Sequence, residues 1–227
     1  PSVNGMPVII SQHDEDVREV IMARATEYNL PLMCYGHDWG AYTEHGRLVI
    51  QHPDGLMDLP MPGLVGAHQI VNAGTAVMAA YYLGIAEHAI CEGLKKPVWP
   101  ARLQKLTTGK LMDMATGEVW LDGGHNQAAA EALAVWLSDY FSSADKPVTL
   151  ICGLMATKHA EKWLKSFSQS RVVLNCITIP DQPNSYTGHD LTAKAQAAGL
   201  KAEAFNDLET AISAAQGDVL ICGSLYL

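Results

Sequence analysis

The stretch Val119-Trp120-Leu121-Asp122-Gly123-Gly124-His125-Asn126-Gln127-Ala128-Ala129-Ala130 decides the fold class of the second half of this chain. Three apolar residues read as a strand, two glycines permit a tight turn, and an Ala-rich helical pattern follows from about residue 127 to 141. Outward from this unit, continuous apolar runs recur at residues 148–152, 172–177 and 219–222. Between them lie helical patterns near residues 158–167, 190–198 and 207–215. Strands that are apolar throughout, alternating with helices, predict a mostly parallel sheet covered on both faces. The expected class is α/β.

The first half reads differently. Residues 7–11 and 31–35 are short strand-like runs, and residues 14–28 carry Val17, Val20, Ile21 and Ala25 at helical spacing. Residues 39–59 hold alternating runs around His45-Gly46 and Asp54-Gly55, which predicts hairpins. Helices are expected at residues 66–83 and 86–94, and Lys95-Lys96-Pro97 breaks the pattern. The reading therefore divides the chain into residues 1–96 and 97–227, with the boundary falling within residues 97–106.

Hydrophobic residues make up 48% of the 227, enough to fill a globular core, so a disordered chain is excluded. Lys plus Arg total 15 against 24 Asp plus Glu, a net charge of −9. That balance argues against a nucleic-acid binder or a partner of anionic membranes, while one nucleotide held by local groups stays compatible with it. Cys34, Cys91, Cys152, Cys176 and Cys222 are dispersed and form no CxxC pair, which points to a reducing cytoplasm. No apolar run reaches the length of a membrane span. The chain opens at Pro1 and ends within the apolar run from Val219, which leads us to expect a piece of a longer protein.

Three segments are candidates for chemistry. In Leu121-Asp122-Gly123-Gly124-His125-Asn126, a ligand would sit beyond the carboxyl end of the strand. Asp122 would accept hydrogen bonds from ribose hydroxyls and the helix start would face an anion. The alternative is that Asn126 caps the helix and the glycines serve only the turn. In Gly66-Ala67-His68-Gln69-Ile70-Val71-Asn72-Ala73, His68 and Asn72 are four apart and share a helix face, either toward a ligand or toward solvent. In Trp99-Pro100-Ala101-Arg102-Leu103-Gln104, the Arg102 guanidinium suits bidentate phosphate contact, or else is an ordinary surface charge. Gly153 to Lys158 follows a strand and would line the same crevice or serve as a loop; Asp113 and Glu118 read as solvated turn residues. The nine histidines show no metal-ligating spacing. Gly109-Lys110 does not complete a Walker A spacing, so a P-loop would have to come from outside this sequence.

Taken in order, these segments and the closing Gly223-Ser224-Leu225-Tyr226-Leu227 resemble the folylpolyglutamate synthase/dihydrofolate synthase family of the Mur ligase superfamily. The family's runs are Gly-Ala-His-Gln-x-x-Asn-Ala, Trp-Pro-Gly-Arg-Leu-Gln, Leu-Asp-Gly-Ala-His-Asn-Pro and Gly-Ser-Leu-Tyr-Leu. Here Ala101 replaces Gly, Gly124 replaces Ala and Gln127 replaces Pro.

The resemblance implies that residues 1–96 are the C-terminal part of a P-loop ATPase domain and that residues 97–227 form a Rossmann-like ligase domain, with ATP in the cleft between the two domains. It implies nucleotide contacts by Asn72, Arg102 and Asp122, a catalytic role for Arg102, and placement of the incoming glutamate by His125. The P-loop, the magnesium ligands, a carbamylated lysine and most of the pterin pocket would lie upstream. The implied reaction is ATP- and Mg2+-dependent addition of L-glutamate to dihydropteroate or a folate through an acyl phosphate, by a monomer. A piece lacking the P-loop would be inactive alone. Two other readings stay open: a Mur-type peptidoglycan-precursor ligase, and a non-catalytic nucleotide-binding module.

Overall fold

The computed structural model describes residues 7–141, 147–157 and 159–227. They divide into two units that meet in sequence between Val98 and Trp99.

In the first unit, β1 (Val8–Ile10) and β2 (Leu32–Cys34) pair in parallel, joined by α1 (Glu15–Glu27). Strands β3 (Gly40–Glu44), β4 (Arg47–His52) and β5 (Gly55–Leu59) form the expected antiparallel meander. Helices α2 (Ala67–Tyr82) and α3 (Glu87–Lys95) follow. Leu48, Ile50 and Leu59 face Val77 and Met78 in one buried cluster. Gly74 lets α2 approach the sheet: a Cβ there would lie 2.6 Å from Ala41 Cβ and 3.0 Å from Trp39 Cζ3. The helical spacing of residues 14–28 is realised in α1, yet Val17 and Val20 are exposed and only Ala25 is buried.

In the second unit, six strands form one sheet in the order β10-β9-β8-β11-β7-β6. These are β6 (Gln104–Lys105), β7 (Val119–Leu121), β8 (Val148–Cys152), β9 (Val172–Ile177), β10 (Lys201–Phe205) and β11 (Val219–Cys222). All pairings are parallel except β6 with β7. The chain steps from β8 out to β10 and then returns to place β11 between β7 and β8.

Alternate strand residues face opposite layers, as the two-residue strand period requires. Trp120, Leu150, Cys152, Leu174, Cys176, Leu220 and Cys222 share a cluster with α5 (Gln127–Tyr140), α6 (Ala160–Lys165) and α7 (Gly188–Ala197). Val119, Ile151, Ile177, Val219 and Ile221 pack instead with α8 (Leu208–Ser213) and the partly buried Leu111 and Met112 of α4 (Lys110–Met114). Burial on both sides is why these strands read as apolar runs, interrupted only by the buried Thr149 and Asn175.

Three elements go beyond the sequence expectation. β10 is an edge strand whose Lys201 and Glu203 are exposed, β6 has two residues, and α4 buries none of its five. The helix expected over residues 158–167 is shorter, and Lys158 lies outside the described residues. Glu118 is more than a solvated turn residue: it pairs with Lys105 and accepts hydrogen bonds from Trp120 Nε1 (3.1 Å) and Tyr140 Oη (3.4 Å). The Lys105 bond holds its carboxyl below the usual glutamate range. Among the described residues no helix is long and apolar enough to cross a membrane.

Candidate nucleotide site

Arg102 lies two residues before β6, whose antiparallel pairing sets Gln104 against Leu121 and Lys105 against Trp120. That ladder continues past the strand ends. Gly123 N–H donates to Ala101 O (2.9 Å), and Leu103 N–H donates to Asp122 Oδ2 (2.9 Å). The residues on either side of Arg102 are thus both fastened to the turn after β7. The segment carries strain: Ala101 and Leu103 adopt φ +53° and +44°, a region L-residues avoid. Burial of the Leu103 side chain, 2% exposed, helps to hold it.

Asp122 is 6% exposed. Its Oδ1 accepts Gly124 N–H (2.7 Å), and its own N–H donates to Ile221 O (2.9 Å). The Gly124 carbonyl accepts Trp163 Nε1–H (3.2 Å) and Gly223 N–H (3.1 Å). Gly223 has φ +99°, and a Cβ there would meet Gly153 O at 2.6 Å, so glycine draws the ends of β11 and β8 together. The Cys222 thiol beneath is pushed well up by burial, with the Asp122 charge adding to the effect. It therefore stays a neutral, apolar floor.

His125 is half-buried, and its Nδ1 lies 2.9 Å from Gly123 O. A carbonyl only accepts, so Nδ1 carries the proton and Nε2 of the neutral ring keeps a lone pair. Asn126 Oδ1 accepts Ala129 N–H (2.9 Å), which realises the capping reading of this residue. The start of α5 nonetheless remains a positive helix end beside the turn.

Arg102 is half-buried, and among the described residues its guanidinium makes no hydrogen bond or ion pair. A cation held by a strained, pinned loop and left without an anion is arranged for an external anion. The structure therefore brings Arg102, Asp122 and His125 together at the carboxyl ends of the parallel strands.

Asn72 lies in the first unit. His68 and Asn72 do share a face of α2, but they are joined through Gln69, which is 6% exposed. Gln69 Nε2 lies 2.9 Å from His68 Nε2, and Asn72 Nδ2–H donates to Gln69 Oε1 (3.1 Å), which leaves Asn72 Oδ1 as an acceptor. Asn72, Gln69, Pro62, Leu64, Ala73 and Leu94 line a pocket of about 220 Å³. Sequence reasoning does not reach Gln69, Trp163, Ser224 or Leu225 as site residues. Gln69 has a signal as a polar residue on a buried helix face, and Ser224 and Leu225 lie in the closing run that carries the family resemblance. Ser224 is buried at the end of β11, where its Oγ accepts Tyr226 N–H (3.1 Å).

The family model described as Mur ligase, glutamate ligase domain, matches residues 106–225, more than half of the chain. Folylpolyglutamate synthase of Lacticaseibacillus casei is 25% identical over 242 residues, covering 98% of this chain and 52% of that protein. The structure of E. coli FolC in complex with DHPP and ADP aligns with a TM-score of 0.81 at 23% identity, over 97% of this chain and 50% of that one. The bifunctional folylpolyglutamate synthase/dihydrofolate synthase of Yersinia pestis, complexed with AMPPNP and Mn ion, aligns with a TM-score of 0.80 at 22% identity, over 98% and 51%. The structural matches show a shared fold. The chain spans about half the length of these relatives.

Proposed function

The chain belongs to the Mur ligase family, by its glutamate ligase domain, and from that premise we propose that its protein is an ATP-dependent ligase adding L-glutamate to dihydropteroate or to a folate. The relatives named for folylpolyglutamate synthesis support the choice of acceptor. The observation that carries the reading is the half-buried Arg102 guanidinium at the carboxyl end of the parallel sheet, without a hydrogen bond or ion pair among the described residues.

A carboxylate is a poor electrophile at neutral pH, so amide formation needs activation. Transfer of the γ-phosphoryl group to the acceptor carboxylate makes an acyl phosphate, and the glutamate amine then displaces phosphate. Arg102 offsets the charge that builds up as the phosphoryl moves. Asp122 holds the Arg102 segment through the Leu103 amide, and on the family resemblance it meets the ribose side of the nucleotide. The His125 Nε2 lone pair accepts an N–H of the incoming amine. For Asn72 the proposal rests on the family resemblance, with its free amide oxygen toward the nucleotide.

Magnesium neutralises phosphate charge in such reactions. Among the described residues no group of three or more His, Cys, Asp or Glu is placed to hold a metal. In this proposal Arg102, Asp122 and His125 serve the nucleotide and the amine. All five cysteines are free thiols, which supports a cytoplasmic location for the reaction.

The test supplies the full-length protein with MgATP, L-glutamate and either dihydropteroate or tetrahydrofolate. Acceptor-dependent ADP release with formation of the glutamylated product is expected. ADP release only with a peptidoglycan precursor would replace the acceptor, and none with any acceptor would remove the ligase reading.

A further inference from the structure

Leu225 follows Ser224 just beyond β11, and it is 60% exposed. Yet it does not stand free of the site. A Cβ on Gly123 would lie 2.2 Å from Leu225 Cδ2 and 2.7 Å from Leu225 Cγ. The same point lies 3.5 Å from Arg102 Nη1. The space left by the missing Gly123 side chain is thus filled by the Leu225 isobutyl group, with the guanidinium at its margin.

We propose that Leu225 is a positioning residue for Arg102. Its isobutyl group covers the Gly123 turn, shields one side of the guanidinium from water and directs the remaining N–H donors toward the bound phosphate. Charge pairing strengthens where water is excluded, so an apolar neighbour raises the affinity of Arg102 for an anion without touching that anion. This inference rests on the reading of Arg102 as the phosphate-binding cation.

A double-mutant cycle in the full-length protein tests it, with ADP affinity measured by calorimetry at low and high salt and thermal unfolding recorded for each variant. Leu225→Ala is expected to weaken ADP binding by about three- to tenfold and to steepen its salt dependence, because screening acts on exposed charges. Leu225→Met, of similar volume, retains affinity. Leu225→Gln, of similar length but with a polar end, reproduces the salt sensitivity and keeps the test usable if the alanine variant folds poorly. In the Arg102→Ala background, Leu225→Ala produces no further loss. Equal losses from Leu225→Ala with and without Arg102, or no loss in either background, would overturn the proposal. If Arg102→Ala alone leaves ADP affinity unchanged, the phosphate reading of Arg102 itself falls and this inference falls with it, an outcome distinct from additivity.

Discussion

Asp122 and Leu103, nineteen residues apart, are joined by a buried hydrogen bond in which the Leu103 N–H donates to Asp122 Oδ2 at 2.9 Å. With the Gly123 N–H to Ala101 O bond, it brackets Arg102 and fixes the backbone from which its side chain projects. Asp122→Ala leaves the buried amides of Leu103 and Gly124 unpaired, a loss of about 1–3 kcal/mol each where water cannot reach them. Chemical denaturation should show a total loss of about 2–6 kcal/mol for the two amides, and ADP affinity should fall in parallel. Unchanged stability would mean that the bracket does not hold the loop.

Ala101 stands at φ +53°, at a position where the resembling family has glycine. The left-handed conformation costs an L-residue about 1–2 kcal/mol, against about 0.5–1 kcal/mol of extra glycine entropy. Ala101→Gly should therefore stabilise the protein, raising the melting temperature by about 1–4 °C in a chain of this size. Leu103→Gly, at a similar angle, should destabilise instead, because it removes a buried side chain.

Gly74→Ala places a methyl group 2.6 Å from Ala41 Cβ. The helix must shift from the sheet, and overpacking of this kind costs about 1–3 kcal/mol. The loss should appear in the unfolding midpoint, together with altered fluorescence from the neighbouring Trp39.

How much of the fold and site is legible in the chain follows from where the information lies. The β7 turn and α5 are written in consecutive residues: an apolar triplet, two glycines and a helix-capping Asn126. The parallel strands are legible as a class, because burial on both faces favours apolar residues at nearly every position. β10 is not legible, since an edge strand with Lys201 and Glu203 in solvent has no apolar signature. Within the site, the residue types of Arg102, Asp122 and His125 can be read, whereas their hydrogen bonds cannot. The Asp122 carboxylate and the Leu103 amide meet only because β6 folds back on β7, and Leu225 reaches Gly123 only because β11 returns to lie beside β7.

The Cys34 N–H donates to Asp38 Oδ2 (2.8 Å), and this backbone bond, helped by His37, holds the Asp38 carboxyl below its usual range. A depressed folded-state value means that the stabilisation is complete above the unfolded value, about 3.9, and is lost as pH falls through the lower folded value. The stability gap between the native protein and Asp38→Ala should be constant at neutral pH and narrow below about pH 4. A gap that widens on acidification would reverse the assigned direction.

That Arg102 meets the phosphates of ATP is the central claim, and the kinetics of the full-length ligase carrying Arg102→Ala and Arg102→Lys test it most directly. The expected result is a KM for ATP raised by at least about tenfold in the alanine variant, with the lysine variant between it and the native enzyme, because an ammonium keeps the charge but loses the bidentate fork. Native ATP kinetics in Arg102→Ala, with the protein folded, would contradict it.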